Sequence, residues 1–104
     1  MREVDLAAFA TAHASGAVVI DVREPGEYVS GHVPGARLMP LGRLPQHLGE
    51  VPRDRRVYVV CASGNRSKAA ADLLARAGID AVSVAGGTGG WQRAGKSVTL
   101  GTRP

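Results

Sequence analysis

Short apolar runs and longer amphipathic segments alternate along the chain. The apolar runs are rich in β-branched residues, and they span residues 17–22, 57–60 and 81–84. Runs of this length and composition are typical of strands that are buried on both faces. Residues 5–16 and 67–77 instead place apolar side chains three and four positions apart, which indicates helices with one buried face.

Weaker signals complete the predicted order of elements. Short strands are expected at residues 3–4 and 36–39, and Pro25 is a favourable first residue for a short helix that runs through Ser30. A weak helix around residues 41–48 is limited by an internal proline. Strands that alternate with helices, and are apolar on both faces, predict an α/β fold built on a parallel sheet.

The length of 104 residues fits one domain, and hydrophobic residues make up 44% of the chain. Aromatic residues contribute only 4%, so the core is expected to consist mainly of Val, Leu, Ile and Ala. We expect the domain core to span residues 4–95 and residues 96–104 to form a polar, basic and loosely ordered tail. No internal repeat or linker suggests a second domain.

Composition excludes several kinds of partner. No apolar run approaches the roughly 20 residues of a membrane span, and no signal peptide is visible, so we expect a cytoplasmic protein without membrane contact. The net charge of +4 suits anionic substrates or an acidic partner. Basic residues cluster only at 53–56 and lack neighbouring aromatic side chains, so no nucleic-acid partner is expected. We also expect a monomer.

The single cysteine of the chain lies where the strand at 57–60 meets the helix that follows. One cysteine forms no internal disulfide and is too few for a zinc site, so we expect neither a metal nor another cofactor. A lone cysteine is often a small core residue. At the start of a helix, however, backbone N–H groups and the helix dipole stabilise a thiolate and lower the thiol pKa. We therefore expect an exposed, reactive thiolate.

The residues after this cysteine support that interpretation. The segment reads Cys61, Ala62, Ser63, Gly64, Asn65, Arg66 and Ser67. Gly64 allows a tight loop, Arg66 offers a fixed cation, and Ser67 is expected to cap the helix while donating a hydroxyl.

Four residues separate Cys61 from Arg66. This spacing resembles the Cys-x-x-Gly-x-Arg loop of the rhodanese family of sulfurtransferases, which holds a cysteine persulfide. Protein tyrosine phosphatases carry a Cys-x5-Arg loop that wraps a phosphate and is one residue longer. The resemblance therefore implies a loop sized for sulfur.

Two further segments resemble the same family in the same order. Asp21, Arg23, Glu27, Tyr28 and residues 31–36 match Asp-x-Arg-x-x-x-Glu-Tyr/Phe followed by Gly-His-Ile/Val-Pro-Gly-Ala, and Gly86, Gly87 and Trp91 match Gly-Gly-x-x-x-Trp. The glycines at 86–90 lack the Gly-Lys-Ser/Thr sequel of a phosphate-binding loop. The resemblance extends over residues 4–95 and implies one rhodanese domain. Its fold is a three-layer α/β/α arrangement with a parallel sheet of about five strands.

The resemblance also implies a mechanism. Cys61 would take the outer sulfur of thiosulfate, or of another small anionic donor, and pass it to cyanide or a thiol. The loop N–H groups from Ala62 to Ser67 would hold the persulfide, and Arg66 would bind the charged end of the donor. Many members of the family carry Arg where this chain has Ala62, so one anion-binding group is missing. A preference for thiosulfate is therefore in doubt, and a protein persulfide is an alternative donor.

Two alternatives stay open: a non-enzymatic sulfur carrier or regulatory module, and a phosphatase or arsenate reductase on a related fold. Asp21 is expected to be a buried carboxylate that braces loops, supported by Arg23, whose spacing also favours a pair with Glu27. His32 is expected to be a structural residue of a turn and His13 to lie on the solvent side of its helix.

Overall fold

The computed structural model describes residues 2–104 and contains five strands. They are β1 (Arg2–Val4), β2 (Val18–Asp21), β3 (Arg37–Leu38), β4 (Val57–Val60) and β5 (Ala81–Val84). The α-helices are α1 (Leu6–Ala14), α2 (Pro25–Val29), α3 (Leu44–His47), α4 (Asn65–Arg76) and α5 (Gly87–Arg93). Single 3₁₀ turns flank α3 at Leu41–Arg43 and Leu48–Glu50. Within residues 2–104 no helix is long and apolar enough to cross a membrane.

All strand pairs of the sheet are parallel, in the order β1-β5-β4-β2-β3. The predicted α/β/α fold with five parallel strands is therefore confirmed. In the register between β2 and β4, Asp21 lies opposite Val60. The carboxyl ends of the central strands consequently meet at one edge of the sheet, which is where open parallel sheets bind ligands.

Successive residues of β4 face opposite layers, as the period of a strand requires. Val57, Val59 and Cys61 belong to a core shared with α4 and the segment around α3. Val60 belongs to a second core with Phe9 of α1 and Trp91 of α5. Both faces of the sheet are thus covered, which explains why its central strands are apolar except for Asp21 and Ser83.

Helix α4 begins two residues earlier than the sequence predicts. Gly64 occupies the N-cap position with a φ of 110°, a conformation that residues with a β-carbon rarely adopt, and the helix begins at Asn65. The expectation that Ser67 caps this helix is wrong, since Ser67 lies inside the first turn. Its side chain is fully buried and points toward the cysteine rather than to a helix end.

The segment 96–104 packs against the domain, so the prediction of a loosely ordered tail is wrong. Thr99 forms an antiparallel bridge with His32, with N–H to O distances of 2.9 and 2.8 Å. The Trp91 indole donates to the carbonyl of Ser97 at 2.8 Å, and the Gly101 N–H donates to Val29. Backbone hydrogen bonds, which a composition-based prediction does not register, hold this segment.

His32 is fully buried, as expected for a structural histidine. Its ring stacks on Tyr28 with centroids 3.6 Å apart, and its nitrogens lie 2.8 and 2.7 Å from the carbonyl oxygens of Tyr28 and Arg103. His13 was expected on the solvent side, but Nε2 lies 2.7 Å from the Pro34 carbonyl and the ring meets the edge of Trp91.

We expect Thr99→Pro to reduce the free energy of unfolding by about 1–3 kcal/mol, because it removes the N–H that satisfies the His32 carbonyl. Thr99→Ala keeps this N–H and is the matched control, with a change below about 0.5 kcal/mol. Urea unfolding of both variants measures the difference. Equal stabilities would show that the bridge does not hold the segment.

Candidate functional site

Cys61 directly follows β4 and belongs to the loop that enters α4. The strand brings it to the carboxyl edge of the sheet, and the left-handed conformation of Gly64 turns the chain back over it. The backbone N–H of Gly64 points at Cys61 Sγ from 3.0 Å. A sharp turn between a strand and a helix thus aims main-chain donors at a sulfur atom.

The predicted exposure of this cysteine is wrong, because Cys61 is only 1% exposed. Its Sγ lies 3.4 Å from Ser67 Oγ in addition to the Gly64 contact. In this position, hydrogen bonds from the protein replace the water that would surround an exposed sulfur atom. Little of its surface is therefore open to a reactant.

Opposing effects act on the ionisation of this thiol. Burial raises the pKa of Cys61, while hydrogen bonds from the Ser67 hydroxyl and from the N–H groups of Ser67, Gly64 and Ser63 lower it. The hydrogen bonds prevail, so the pKa of the Cys61 thiol lies below its usual range. The geometry therefore favours a thiolate, the nucleophilic form of cysteine.

Ser67 connects the cysteine to a residue that the sequence interpretation missed. Its Oγ lies 2.8 Å from Oγ of Ser83 on β5, and both serines are fully buried. The signal was present, because Ser83 is the only polar residue of a strand that is otherwise Ala and Val. A hydroxyl in such a strand needs a buried partner.

Asp21 and Arg23 form a buried ion pair next to the loop, consistent with a bracing role. The Asp21 carboxylate accepts hydrogen bonds from the Arg23 backbone N–H at 3.0 Å and from its Nη2 at 2.9 Å. Arg23 Nη2 also donates to the Gly31 carbonyl at 2.8 Å. This pair joins the end of β2 to the turn that follows α2.

Glu27 pairs with Arg66 and not with Arg23, so the predicted partner was wrong. The two Nη atoms of Arg66 donate to the two carboxylate oxygens of Glu27 at 2.7 and 2.8 Å. Arg23 is held by Asp21, which leaves the Glu27 carboxylate to the α4 arginine. The spacing rule for helices did not apply here because Arg23 precedes α2.

This bidentate contact changes the expected role of Arg66. The Arg66 hydrogen bonds lower the pKa of Glu27 to about 2, and the pKa of Arg66 is raised by the same contact. Both groups are therefore charged near neutral pH and neutralise each other. Arg66, expected to bind a donor anion, is occupied by a carboxylate of its own chain.

The glycine-rich segment borders the site as the first turns of α5 rather than as a loop. Backbone N–H groups of Thr88 and Gly89 donate to the carbonyls of Cys61 and Ala62 at 2.8 and 3.0 Å. A β-carbon at Gly87 would approach the Cys61 carbonyl oxygen to 2.2 Å. Gly87 and Gly89 must lack a β-carbon because they pack directly on the loop backbone.

The remaining predicted loop residues contribute through the backbone. Ala62 accepts the Gly89 hydrogen bond, and Ser63 supplies an N–H toward the sulfur. Asn65 is the exposed first residue of α4. The structure thus directs Ser63, Gly64 and Ser67 at the sulfur, whereas the Ala62, Asn65 and Arg66 side chains have no hydrogen bond to it.

A family model described as the rhodanese-like domain matches residues 6–94. Among curated proteins, the uncharacterized protein YqhL of Bacillus subtilis is 45% identical over 62 residues, which cover 60% of this chain. The match covers 49% of YqhL, so the chain spans about half the length of this curated relative.

Solved structures resemble the chain over nearly its whole length. A rhodanese-related protein of Thermoplasma volcanium has a TM-score of 0.90 with 33% identity, covering 97% of this chain and 100% of the other. A rhodanese-like domain protein of Staphylococcus aureus has a TM-score of 0.87 with 29% identity, covering 97% and 99%. A protein of unknown function from Rhodopseudomonas palustris, named a possible tyrosine phosphatase, has a TM-score of 0.85 with 27% identity, covering 94% and 84%.

We expect Gly87→Ala to reduce the free energy of unfolding by about 2–3 kcal/mol or more, because the φ of 55° and the Cys61 carbonyl both exclude a β-carbon. Gly26→Ala in α2 meets no atom within 4 Å and is the control, which we expect to be neutral or stabilising by up to about 1 kcal/mol. Chemical denaturation measures both. Equal effects would contradict the close packing of α5 on the cysteine loop.

Proposed function

The chain belongs to the rhodanese-like domain family, and from this membership we propose that it transfers sulfane sulfur through a persulfide on Cys61. The observation that carries the proposal is the convergence of hydrogen-bond donors on Cys61 Sγ, led by the Gly64 N–H at 3.0 Å. Such donors stabilise sulfur anions without any metal or cofactor. The reaction class is a double displacement with one covalent intermediate.

In the first half-reaction the Cys61 thiolate attacks the outer sulfur of a donor such as thiosulfate. A new S–S bond forms while the S–S bond of thiosulfate breaks, and sulfite leaves with the electron pair. The product is a persulfide whose terminal sulfur carries the negative charge. The lowered pKa of Cys61 supports this step, because the thiolate is the attacking form.

In the second half-reaction a thiophilic acceptor removes the terminal sulfur. Cyanide attacks that sulfur, the Cys61–sulfur bond breaks, and thiocyanate leaves while the cysteine thiolate is restored. A thiol acceptor gives a new persulfide on the acceptor instead. The electron count is the same for the enzyme before and after the cycle, so no redox partner is required.

The loop donors favour sulfur over larger groups as the cargo. The backbone N–H groups of Ser63, Gly64 and Ser67 are directed at a single sulfur atom, and Cys61 is 1% exposed. A persulfide adds one atom to Sγ, whereas a phosphoryl group adds a phosphorus with three further oxygens. Phosphoryl transfer is the alternative activity, because the R. palustris neighbour is named a possible tyrosine phosphatase.

Recognition of an anionic donor rests on short-range contacts in this proposal. Arg66 is neutralised by Glu27, and Ala62 supplies no charge. The loop N–H groups and the start of α4 are then the remaining attraction for a donor anion. We accordingly propose weak binding of thiosulfate and better sulfur transfer from a persulfide donor, as the carrier alternative also implies.

The test of the function is the mass of the protein after incubation with thiosulfate. We expect the intact chain to gain one sulfur atom, to lose it on addition of cyanide or a thiol, and to form thiocyanate with ping-pong kinetics. Cys61→Ser, whose hydroxyl carries no sulfane sulfur, is expected to gain nothing and to fall below about a thousandth of the wild-type rate.

The same assay separates the alternatives. Slow loading from thiosulfate with fast loading from a persulfide of a small thiol or a protein indicates a carrier. Hydrolysis of an aryl phosphate without any added sulfur would overturn the proposal and favour the phosphatase. Cys61→Ser abolishes both activities, so the mass of the loaded protein and not the loss of activity decides between them.

A second prediction concerns the Arg66–Glu27 pair. Glu27→Gln removes the carboxylate that competes with the donor, so we expect the KM for thiosulfate to fall about three- to fivefold. Arg66→Ala leaves the Glu27 charge uncompensated, and we expect its KM to rise more than that of the double variant.

Steady-state kinetics at low ionic strength measures these values, with Asp72→Asn as a control. Asp72 pairs with Arg76 on the exposed side of α4, so this variant changes the net charge equally. An unchanged KM in Glu27→Gln, or an equal fall in Asp72→Asn, would contradict a local role of the pair.

A further inference from the structure

We propose that Ser83 is a positioning residue that orients the Ser67 hydroxyl toward Cys61 Sγ and thereby stabilises the thiolate. Its significance for catalysis rests on the proposed function, since a thiolate is what sulfur transfer requires. The geometry that suggests it is a continuous line of three polar atoms. Cys61 Sγ lies 3.4 Å from Ser67 Oγ, which lies 2.8 Å from Ser83 Oγ.

The surroundings isolate these atoms from water. Ser67 and Ser83 have no exposed surface, and Cys61 is 1% exposed. In the part of the chain that the structure describes, the two hydroxyls have no hydrogen-bond partners outside this line. The line therefore contains two hydrogen bonds, one between Cys61 Sγ and Ser67 Oγ and one between Ser67 Oγ and Ser83 Oγ. The hydrogens of the thiol and of the two hydroxyls must be shared between these two bonds.

A count of these hydrogens shows which ionisation state the arrangement matches. With a neutral thiol, three hydrogens compete for two contacts, so one buried donor lacks an acceptor. With a thiolate, two hydrogens fill two contacts: Ser83 donates to Ser67, and Ser67 donates to the sulfur. A buried donor without an acceptor is unfavourable, so the line is complete only when Cys61 is ionised.

The direction of donation gives Ser83 its role. The Ser67 hydroxyl has one hydrogen, which it directs either to the sulfur or to Ser83. When Ser83 donates to Ser67 Oγ, that oxygen is polarised and its hydrogen remains on the sulfur side. The contact between the serines is thus stronger beside a thiolate than beside a thiol, and removal of Ser83 weakens the thiolate selectively.

Charged groups around the sulfur do not supply this effect. Arg66 of α4 is paired with Glu27 of α2, and Asp21 at the end of β2 is paired with Arg23. Arg93 of α5 lies against Gly89 of its own helix. The hydrogen bond of the Ser83 side chain goes to Ser67 and to none of these charged groups, so substitution of Ser83 leaves their charges in place.

The test is a pH titration of thiolate ultraviolet absorbance, because the sequence contains one cysteine and Cys61→Ser provides the blank. We expect Ser83→Ala to raise the midpoint by about half a pH unit and Ser67→Ala to raise it by about one unit. Ser83→Thr keeps a hydroxyl at this position, so its midpoint is expected to lie closer to the wild-type value than that of Ser83→Ala. No sulfur donor is involved in these titrations.

The double variant decides whether Ser83 acts through Ser67. In a Ser67→Ala background the line is broken, so we expect Ser83→Ala to shift the midpoint by less than about 0.2 unit. Val82→Ala is the control for lost packing in β5, since Val82 is buried and, as the neighbour of Ser83 in a strand, directs its side chain to the opposite face of the sheet. It is expected to lower stability without moving the midpoint.

An unchanged midpoint in Ser83→Ala, or an equal shift in both backgrounds, would overturn the positioning role. Failure of the proposed function would look different. If the wild-type protein gains no sulfur from any donor but the variants show the expected midpoints, the positioning role of Ser83 stands and the sulfurtransferase function is wrong. If the wild-type protein gains sulfur normally but the Ser83→Ala midpoint is unchanged, the sulfurtransferase function stands and the positioning role of Ser83 is wrong.

Discussion

A sulfur anion that is almost fully buried must be solvated by the protein itself. Cys61 is 1% exposed, and burial on its own would raise the thiol pKa. The opposing donors exist only because Gly64 adopts a φ of 110° and α4 begins at the next residue. Parallel pairing of β4 with β5 then brings Ser83 and the α5 glycines against the same loop. The lowered pKa of Cys61 therefore depends on both the order of the strands in the sheet and the conformation of the loop.

The charges near the loop are arranged to cancel. Arg66 and Glu27 form a bidentate pair, and Asp21 and Arg23 form another that is buried. These pairs fix the positions of α2, of the turn after it and of the start of α4, and the groups that lower the pKa of Cys61 are hydrogen-bond donors rather than these charges. Stabilisation of the thiolate consequently depends on hydrogen bonds of short range, which are less sensitive to ionic strength than an exposed cation.

The sequence predicted the parts of the structure that depend on local pattern. Apolar β-branched runs located the central strands, and the strand–cysteine–helix order located the loop, because both signals lie within a few adjacent residues. Contacts between distant segments were not predictable in this way. Glu27 selects Arg66 over the nearer Arg23 only because Asp21 holds Arg23, and the segment 96–104 is fixed by backbone pairing with His32. Ser83 carried a local signal, a hydroxyl in an apolar strand, but its partner lies on α4.

Burial of the nucleophile bears on how sulfur would arrive under the proposed function. Loop N–H groups directed at Sγ would also stabilise a terminal persulfide sulfur, but Cys61 is 1% exposed, which would leave little surface for the larger, doubly charged thiosulfate. An extended persulfide on a thiol carries its reactive sulfur at the end of a narrow chain and meets less steric hindrance. The neutralised Arg66 removes the compensating attraction that a small dianion would need. Under the proposed function, steric access and charge would therefore favour the same class of donor, a persulfide presented by a thiol or a partner protein.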